Sequence, residues 1–270
     1  MRSKQVFQLL VVCVGVFVLC VSRFAYAEDE PPREPVKLPG LLVDFEHQYV
    51  DVEATVCMEK GLLEVVACTP DTKEHESLVT VKAAPMHIHT GLVMLGAECG
   101  NPFMRKEIED ADGRRMVEVP AKGDLVKVSL VYEDAEGKAV ERSVSDFIRH
   151  ARKENADGEV DARAEPGKEA DPKAEERLTD SFVFAGSIIY EPDSGKPQYL
   201  ADESGDVITI STFGDDMLCL PFELSSANEA LEWEVDPTHL PKVGTKLTLR
   251  LRPVKAGKED QGQKQEAPAP

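Results

Sequence analysis

The segment LVKVSLVYEDAEGKAVERSV, residues 125–144, decides how the rest of the chain is read. Its even positions Val126, Val128, Leu130 and Tyr132 are apolar or aromatic, while Lys127 and Ser129 between them are polar. A period of two puts the first set on one face of a strand and the second on the other. Asp134-Ala135-Glu136-Gly137-Lys138 then supplies turn residues, and 139–144 returns as a second strand. The spacing predicts a hairpin with one dry and one wet face.

The same reading extends toward both ends of the chain. Leu247, Leu249 and Leu251 alternate with Lys246, Thr248, Arg250 and Arg252, which predicts a final strand opened by Gly244-Thr245. Residues 182–190, Phe-Val-Phe-Ala-Gly-Ser-Ile-Ile-Tyr, read as one long central strand. Residues 199–201 and 207–212 flank a turn-rich 202–206 and read as another hairpin. Helices are few. One is expected near 145–153, capped by Ser143 or Ser145. A second is expected over 226–233, where Ser226 and Glu229 have capping-box spacing. A third follows Pro85, with Ile88, Leu92 and Leu95 as its apolar stripe. The expected fold is mainly β (α+β), an antiparallel sandwich-like core with two or three short helices.

The first 27 residues read as an address. Arg2 and Lys4 precede an apolar run over 6–21, broken only by Gln8, and Ala25-Tyr26-Ala27 is a small-x-small cleavage site. The run is shorter than the ~20 residues of a spanning helix, so cleavage after Ala27 is expected. Leu19 before Cys20 argues against a lipidated cysteine. The chain is therefore expected to be exported, periplasmic or extracellular, with no transmembrane segment after cleavage. Its formal charge of −19 falls to −22 once Arg2, Lys4 and Arg23 leave. That excess of negative charge excludes a nucleic-acid partner, which needs a basic footprint. A protein, an envelope polymer or a basic surface fits better.

Beyond the leader, 28–39 is acidic, carries Pro31, Pro32, Pro35 and Pro39, and reads as an extended segment. Residues 151–177 are dominated by charge, and Val160 is their only aliphatic residue larger than alanine. Such a stretch cannot bury enough apolar surface to offset its ordering entropy, so a disordered insertion is expected. A polar tail follows from 253 to 270. The domain proper is thus expected over 40–252, interrupted by that insertion.

No complete catalytic motif is present. Ser187 lacks the Gly-x-Ser-x-Gly elbow, and no glycine-rich phosphate loop occurs. The metal-capable candidates are His75, Glu76, His89, Cys57 and Cys68, with His87 nearby. Zinc needs three or four such ligands converging at about 2.0–2.3 Å. On a strand running from His75, that imidazole would face the core and Glu76 would face out, so the two could not share an ion. On a helix, His87 and His89 sit about 200° apart and could not chelate together. A satisfied core or boundary histidine is the default, and no cofactor is the preferred reading; a transition metal such as zinc is the alternative. Cys57, Cys68, Cys99 and Cys219 remain after cleavage, and three pairings are open to them. A tight turn at Lys60-Gly61 would set Cys57 opposite Glu64, so a Cys57–Cys68 bridge needs a longer turn.

The run Cys57-Met58-Glu59-Lys60-Gly61-Leu62-Leu63-Glu64 through Cys68 and Lys73-Glu74-His75-Glu76-Ser77 carries a resemblance. So do His89-Thr90-Gly91-Leu92, residues 182–187, Tyr199-Leu200-Ala201-Asp202, and Ser211-Thr212-Phe213 before Leu220-Pro221. In that order they resemble the YdjY-domain family of bacterial exported proteins over most of 40–252. The resemblance implies an envelope setting without an assigned activity. Some members carry a ferredoxin-like label, but iron–sulfur ligation needs clustered cysteines that this chain lacks. Two readings follow. The preferred one is a non-catalytic binding or structural module. The other is a metal- or redox-active protein built on the His/Glu/Cys set.

Overall fold

A computed structural model describes residues 33–110, 113–134, 136–151, 177–192, 195–227 and 230–254. The expected signal at 1–27, the first part (28–32) of the extended segment expected over 28–39, the body of the charged insertion (152–176) and the tail beyond 254 lie outside the described residues.

In chain order the strands are β1 (Val36–Leu38), β2 (Leu41–Asp44), β3 (Tyr49–Val56), β4 (Val65–Cys68), β5 (Ser77–Val81) and β6 (Cys99–Asn101). Next come β7 (Met104–Asp110), β8 (Gly113–Val119), β9 (Lys122–Gly123), β10 (Leu125–Glu133), β11 (Ala139–Ser143) and β12 (Ile148–His150). The last are β13 (Ser181–Phe184), β14 (Ile189–Tyr190), β15 (Gln198–Tyr199), β16 (Asp206–Thr209), β17 (Leu218–Cys219), β18 (Trp233–Val235) and β19 (Lys246–Val254). Two α-helices are described, α1 (Pro85–Met94) and α2 (Leu200–Ser204).

Eight strands close on themselves in the order β3-β19-β10-β13-β17-β16-β4-β5 and back to β3, where Ala54 opposes Val81 and Val56 opposes Val79. The fold is mainly β with few helices, as its sequence predicts, but a closed barrel replaces the expected two-sheet sandwich. Alternating burial looks the same on a sandwich face and on a barrel wall, so the pattern could not separate them. Nor is pairing uniformly antiparallel, since β4 with β5 and β16 with β17 run parallel.

Closure comes from two long strands that change partners midway. One edge of β3 pairs with β2 over Tyr49–Val52 and then with β5 over Ala54–Val56. One edge of β10 pairs with β13 over Leu125–Lys127 and then with β11 over Ser129–Glu133. Each change of partner splays the sheet and adds to its natural twist, which curls it shut. The blocks 40–150 and 180–252 share this one barrel, because β19 lies between β3 and β10.

Val126, Val128 and Leu130 of β10 are buried as their alternation requires, and Leu247, Leu249 and Leu251 match them from β19. Phe147, Phe182 and Phe184 join the same core. Helix α1 lies against β2 and β3, and Ile88, Leu92 and Leu95 form its buried stripe. The helix comes so close that a Cβ on Gly91 would sit 3.2 Å from Val43 and 3.3 Å from Val50. Its first turn is capped from elsewhere, by Asp202 Oδ1 accepting from the Met86 N–H at 2.9 Å.

Several local expectations are corrected. Residues 182–190 are not one strand: Gly186 (φ 83°) and Ser187 (φ 54°) turn the chain out of β13, leaving Ile189 and Tyr190 exposed in the separate β14–β15 pair. Residues 199–212 form no hairpin, because 200–204 wind into α2 and β16 pairs with β4 and β17. The expected helix near 145–153 shrinks to a 3-10 turn at Val144–Phe147, capped by the Ser143 hydroxyl, and Ile148–His150 is a strand. In place of the end of the helix expected over 226–233, Trp233 starts strand β18.

Residues 99–110 and 113–123 form the two sides of one long hairpin. Its stem, β6 with β9, docks on the barrel where Ala121, Val183, Ala185 and Cys219 make a small outer cluster with Phe103. Gly123 (φ 146°) is required there, since a Cβ would lie 1.9 Å from the Phe184 carbonyl oxygen. Beyond the stem, β7 and β8 project as a ribbon.

Candidate functional site

The residues that carry chemistry fall into two groups, one on β4, β5, β16 and the loops beside them, the other around His89 of α1. The segment before β5 is not the strand that the sequence suggests. Glu74–Glu76 is a 3-10 turn and the strand starts at Ser77. The expected facing is therefore reversed: the His75 side chain is 78 % exposed and that of Glu76 only 23 %, with His75 Nε2 3.6 Å from Glu76 Oε2.

Cys57 and Cys68 do not bracket a hairpin. They lie on either side of β5, with the Cys57 N–H bonded to the Leu78 carbonyl and Cys68 in register with Thr80. Two strand spacings are roughly 9–10 Å, beyond the Cα separation that a disulfide spans. Both thiols are free, and so are Cys99 and Cys219. Cys57 Sγ donates to the Ser77 carbonyl at 3.0 Å. Burial pushes its thiol up to about 12 and raises that of Cys68 as well.

Next to Cys68 the structure makes a pair that the sequence does not announce. Lys73 Nζ is 2.7 Å from Asp206 Oδ2 and 3.3 Å from the centre of the Phe213 ring, so the ammonium is held between a carboxylate and an aromatic face. Asp206 is fully buried and its Oδ1 has no partner among the described residues. Burial pushes its carboxyl up to about 6, although the Lys73 hydrogen bond pulls the other way. Nearby, Asp216 is also buried. It accepts from the Thr209 hydroxyl at 2.7 Å, the Gly214 N–H at 2.9 Å and the Phe213 N–H at 3.3 Å, which fixes the 212–216 loop. Glu64, buried as well, has its carboxyl raised by desolvation.

The loop leads directly to the second group. The Asp216 carbonyl accepts from the Ser187 N–H at 2.9 Å and the Asp215 carbonyl accepts from its hydroxyl at 2.5 Å. Beside that turn stands His89, on α1. Its Nδ1 is 3.0 Å from the Tyr199 hydroxyl, and its ring meets Phe184 edge-on at 4.9 Å between centroids. The imidazole lies beside the Gly186 backbone, and burial lowers its pKa. Cys99, exposed, lies over the same glycine: a Cβ on Gly186 would be 2.7 Å from Cys99 Cβ and 3.3 Å from its Sγ. His87 points elsewhere, as helical spacing predicts, and its Nδ1 is buried without a partner among the described residues.

The five candidates thus do not meet. His89 belongs to the Tyr199 group, Cys57 and Cys68 lie on either side of β5, and His75 faces solvent. Among the described residues, no three His, Cys, Asp or Glu side chains come together to hold a metal. The pair Lys73–Asp206 escapes sequence reasoning because 133 residues separate its members. The signal that did exist was positional: Lys73, Glu64, His89, Tyr199 and Phe213 all fall in the runs that carry the family resemblance.

No described helix is long and apolar enough to cross a membrane. No curated protein and no solved structure matches the chain. The family model for the YdjY domain matches residues 41–252, from β2 to near the end of β19, and spans every strand of the barrel. On that match the chain belongs to the YdjY-domain family.

Proposed function

We propose that the chain is an exported, non-catalytic binding or structural module of the cell envelope. One observation supports this reading most. The imidazoles and thiols that could have formed a reactive centre are held apart, and two of them spend a hydrogen bond internally: His89 on Tyr199 and Cys57 on the Ser77 carbonyl. An apolar core fills the barrel, so a partner is met on the outer surface. The charge of −22 left after removal of 1–27 favours a protein, an envelope polymer or a basic surface as that partner.

The test is fractionation followed by N-terminal sequencing. Protein recovered outside the cytoplasm, beginning at Glu28 and co-sedimenting with isolated envelope, is the expected result. Protein retained in the cytoplasm with Met1 in place would overturn the reading.

A further inference from the structure

Among the described residues the β7–β8 ribbon forms strand pairs only within itself, and Arg105 of β7 ties it to Glu223 by hydrogen bonds of 2.9 and 3.0 Å. Seven residues per strand make an arm of roughly 24 Å. A lone two-stranded ribbon is marginal in water, and its free edges are templates for another strand. The arm also has two unlike faces. Paired residues share a face, so Met104/Val119, Lys106/Val117 and Ile108/Arg115 lie on one, and Arg105/Glu118, Glu107/Met116 and Glu109/Arg114 on the other. At the middle of β8, Met116 is 59 % exposed, a large apolar side chain with no packing reason to be there.

We propose that β8 pairs antiparallel with β8 of a second copy of this chain, about a two-fold axis at Met116. The charge pattern of the strand is what selects that partner. Pairing about Met116 sets Arg114 opposite Glu118 of the partner subunit, and Glu118 opposite the partner's Arg114. Within each arm Arg105 already opposes Glu118 and Arg114 opposes Glu109. Arg105 Nη2 lies 3.7 Å from Glu118 Oε1, and Arg114 Nε 3.5 Å from Glu109 Oε2. The row across four strands then reads Arg105, Glu118, Arg114 of the partner subunit, Glu109 of the partner subunit. Its signs alternate throughout, and the two-fold repeats it on the other side of the axis. Between the two rows, Met116 meets the partner's Met116.

Backbone parity agrees with this register. An antiparallel ladder turns the N–H and C=O of alternate residues outward, and Arg114, Met116 and Glu118 are alternate residues of β8, so they share one parity. These are the three residues that the two-fold places opposite one another.

The test uses exported protein, its mass measured by sedimentation equilibrium over a wide concentration range. A dimer that weakens with added salt is expected. In Met116→Lys the new ammonium sits opposite Glu107 within its own arm, so the arm is kept. Across the two-fold it faces a second ammonium, so dimerisation should weaken by roughly tenfold or more while circular dichroism is unchanged. For the register, Met116→Cys in a Cys99→Ser background should crosslink through a short bis-maleimide. Val119→Cys, whose counterpart in the second copy lies six residues along the strand, about 20 Å away, should not. A monomer at every concentration, a Met116→Lys dimer as tight as the parent, or crosslinking at 119 in preference to 116 would each overturn the proposal.

Discussion

His89 Nδ1 and the Tyr199 hydroxyl lie 3.0 Å apart, a bond that ties α1 to the β15–α2 corner across 110 residues of sequence. Burial lowers the imidazole pKa and raises that of the phenol, so both groups are held neutral. The bond serves packing. Tyr199→Phe keeps the edge-on ring contact and deletes the hydroxyl. It should destabilise the fold by about 1–2 kcal/mol, the cost of leaving a half-buried ring nitrogen without its partner. Denaturant unfolding checks this: the midpoint should fall with the slope unchanged. An unchanged midpoint would show that water replaces the hydroxyl without loss.

Asp206 sets a pH signature. Its carboxyl has an ordinary value of 3.8 and is pushed up to about 6 by burial, against the pull of Lys73. The folded state therefore binds more protons than the unfolded state between those values. Stability should fall as pH rises from about 4 to about 6, by at most ~3 kcal/mol. Asp206→Asn should remove that part of the slope. The carboxyls of Asp44, Glu141 and Asp236 are held down near 2, so their contributions act elsewhere and are lost as pH falls from about 4 toward 2. Thermal unfolding at pH 4, 5, 6 and 7, parent against Asp206→Asn, separates the windows.

The Lys73–Asp206 pair should be strongly coupled. Lys73→Met leaves a buried carboxylate without its cation and should cost about 3 kcal/mol at pH 7. In the double variant Lys73→Met/Asp206→Asn the charge is gone, and the loss should be clearly smaller. A double variant as unstable as the sum of the singles would mean that the two side chains act independently.

Among the described cysteines, thiol reactivity should be split one against three. Cys99 is exposed, whereas burial raises the thiol pKa of Cys57, Cys68 and Cys219. Native protein should alkylate at Cys99 first, and Cys99→Ser should remove the fast phase. Two fast thiols would show that a second site opens in the folded state.

Gly123→Ala tests how the arm is seated. Its Cβ would lie 1.9 Å from the Phe184 carbonyl oxygen at a φ of 146°. Backbone must move, and a loss of about 3 kcal/mol or more is expected. Unfolding curves decide, and near-parental stability would mean that the stem can shift off β13.

Much of the barrel wall was legible in the sequence. Val126, Val128 and Leu130, and the three leucines of β19, announced their face because a period of two survives in long antiparallel strands. Barrel closure was not legible. It depends on β3 and β10 changing partners midway, at positions where the alternation continues without a break. The 182–190 stretch misled because all nine residues are apolar or small; only the paired left-handed residues Gly186 and Ser187 split it. At the candidate site, helical spacing placed His87 and His89 on different faces correctly. The facing of His75 and Glu76 depended on where β5 starts, and strand ends are the least marked feature of a sequence. The Asp206–Lys73 pair is a product of topology, which brings β16 beside β4.

The central claim is that these imidazoles and thiols brace the fold and do not assemble a reactive centre. Elemental analysis of the chain from Glu28 onward, with a thiol titration in denaturant, tests it most directly. The account predicts four titratable thiols per chain and transition metal far below one equivalent, both unchanged in His89→Ala. One equivalent of zinc, copper or iron that is lost in His89→Ala or in Cys57→Ser would contradict it.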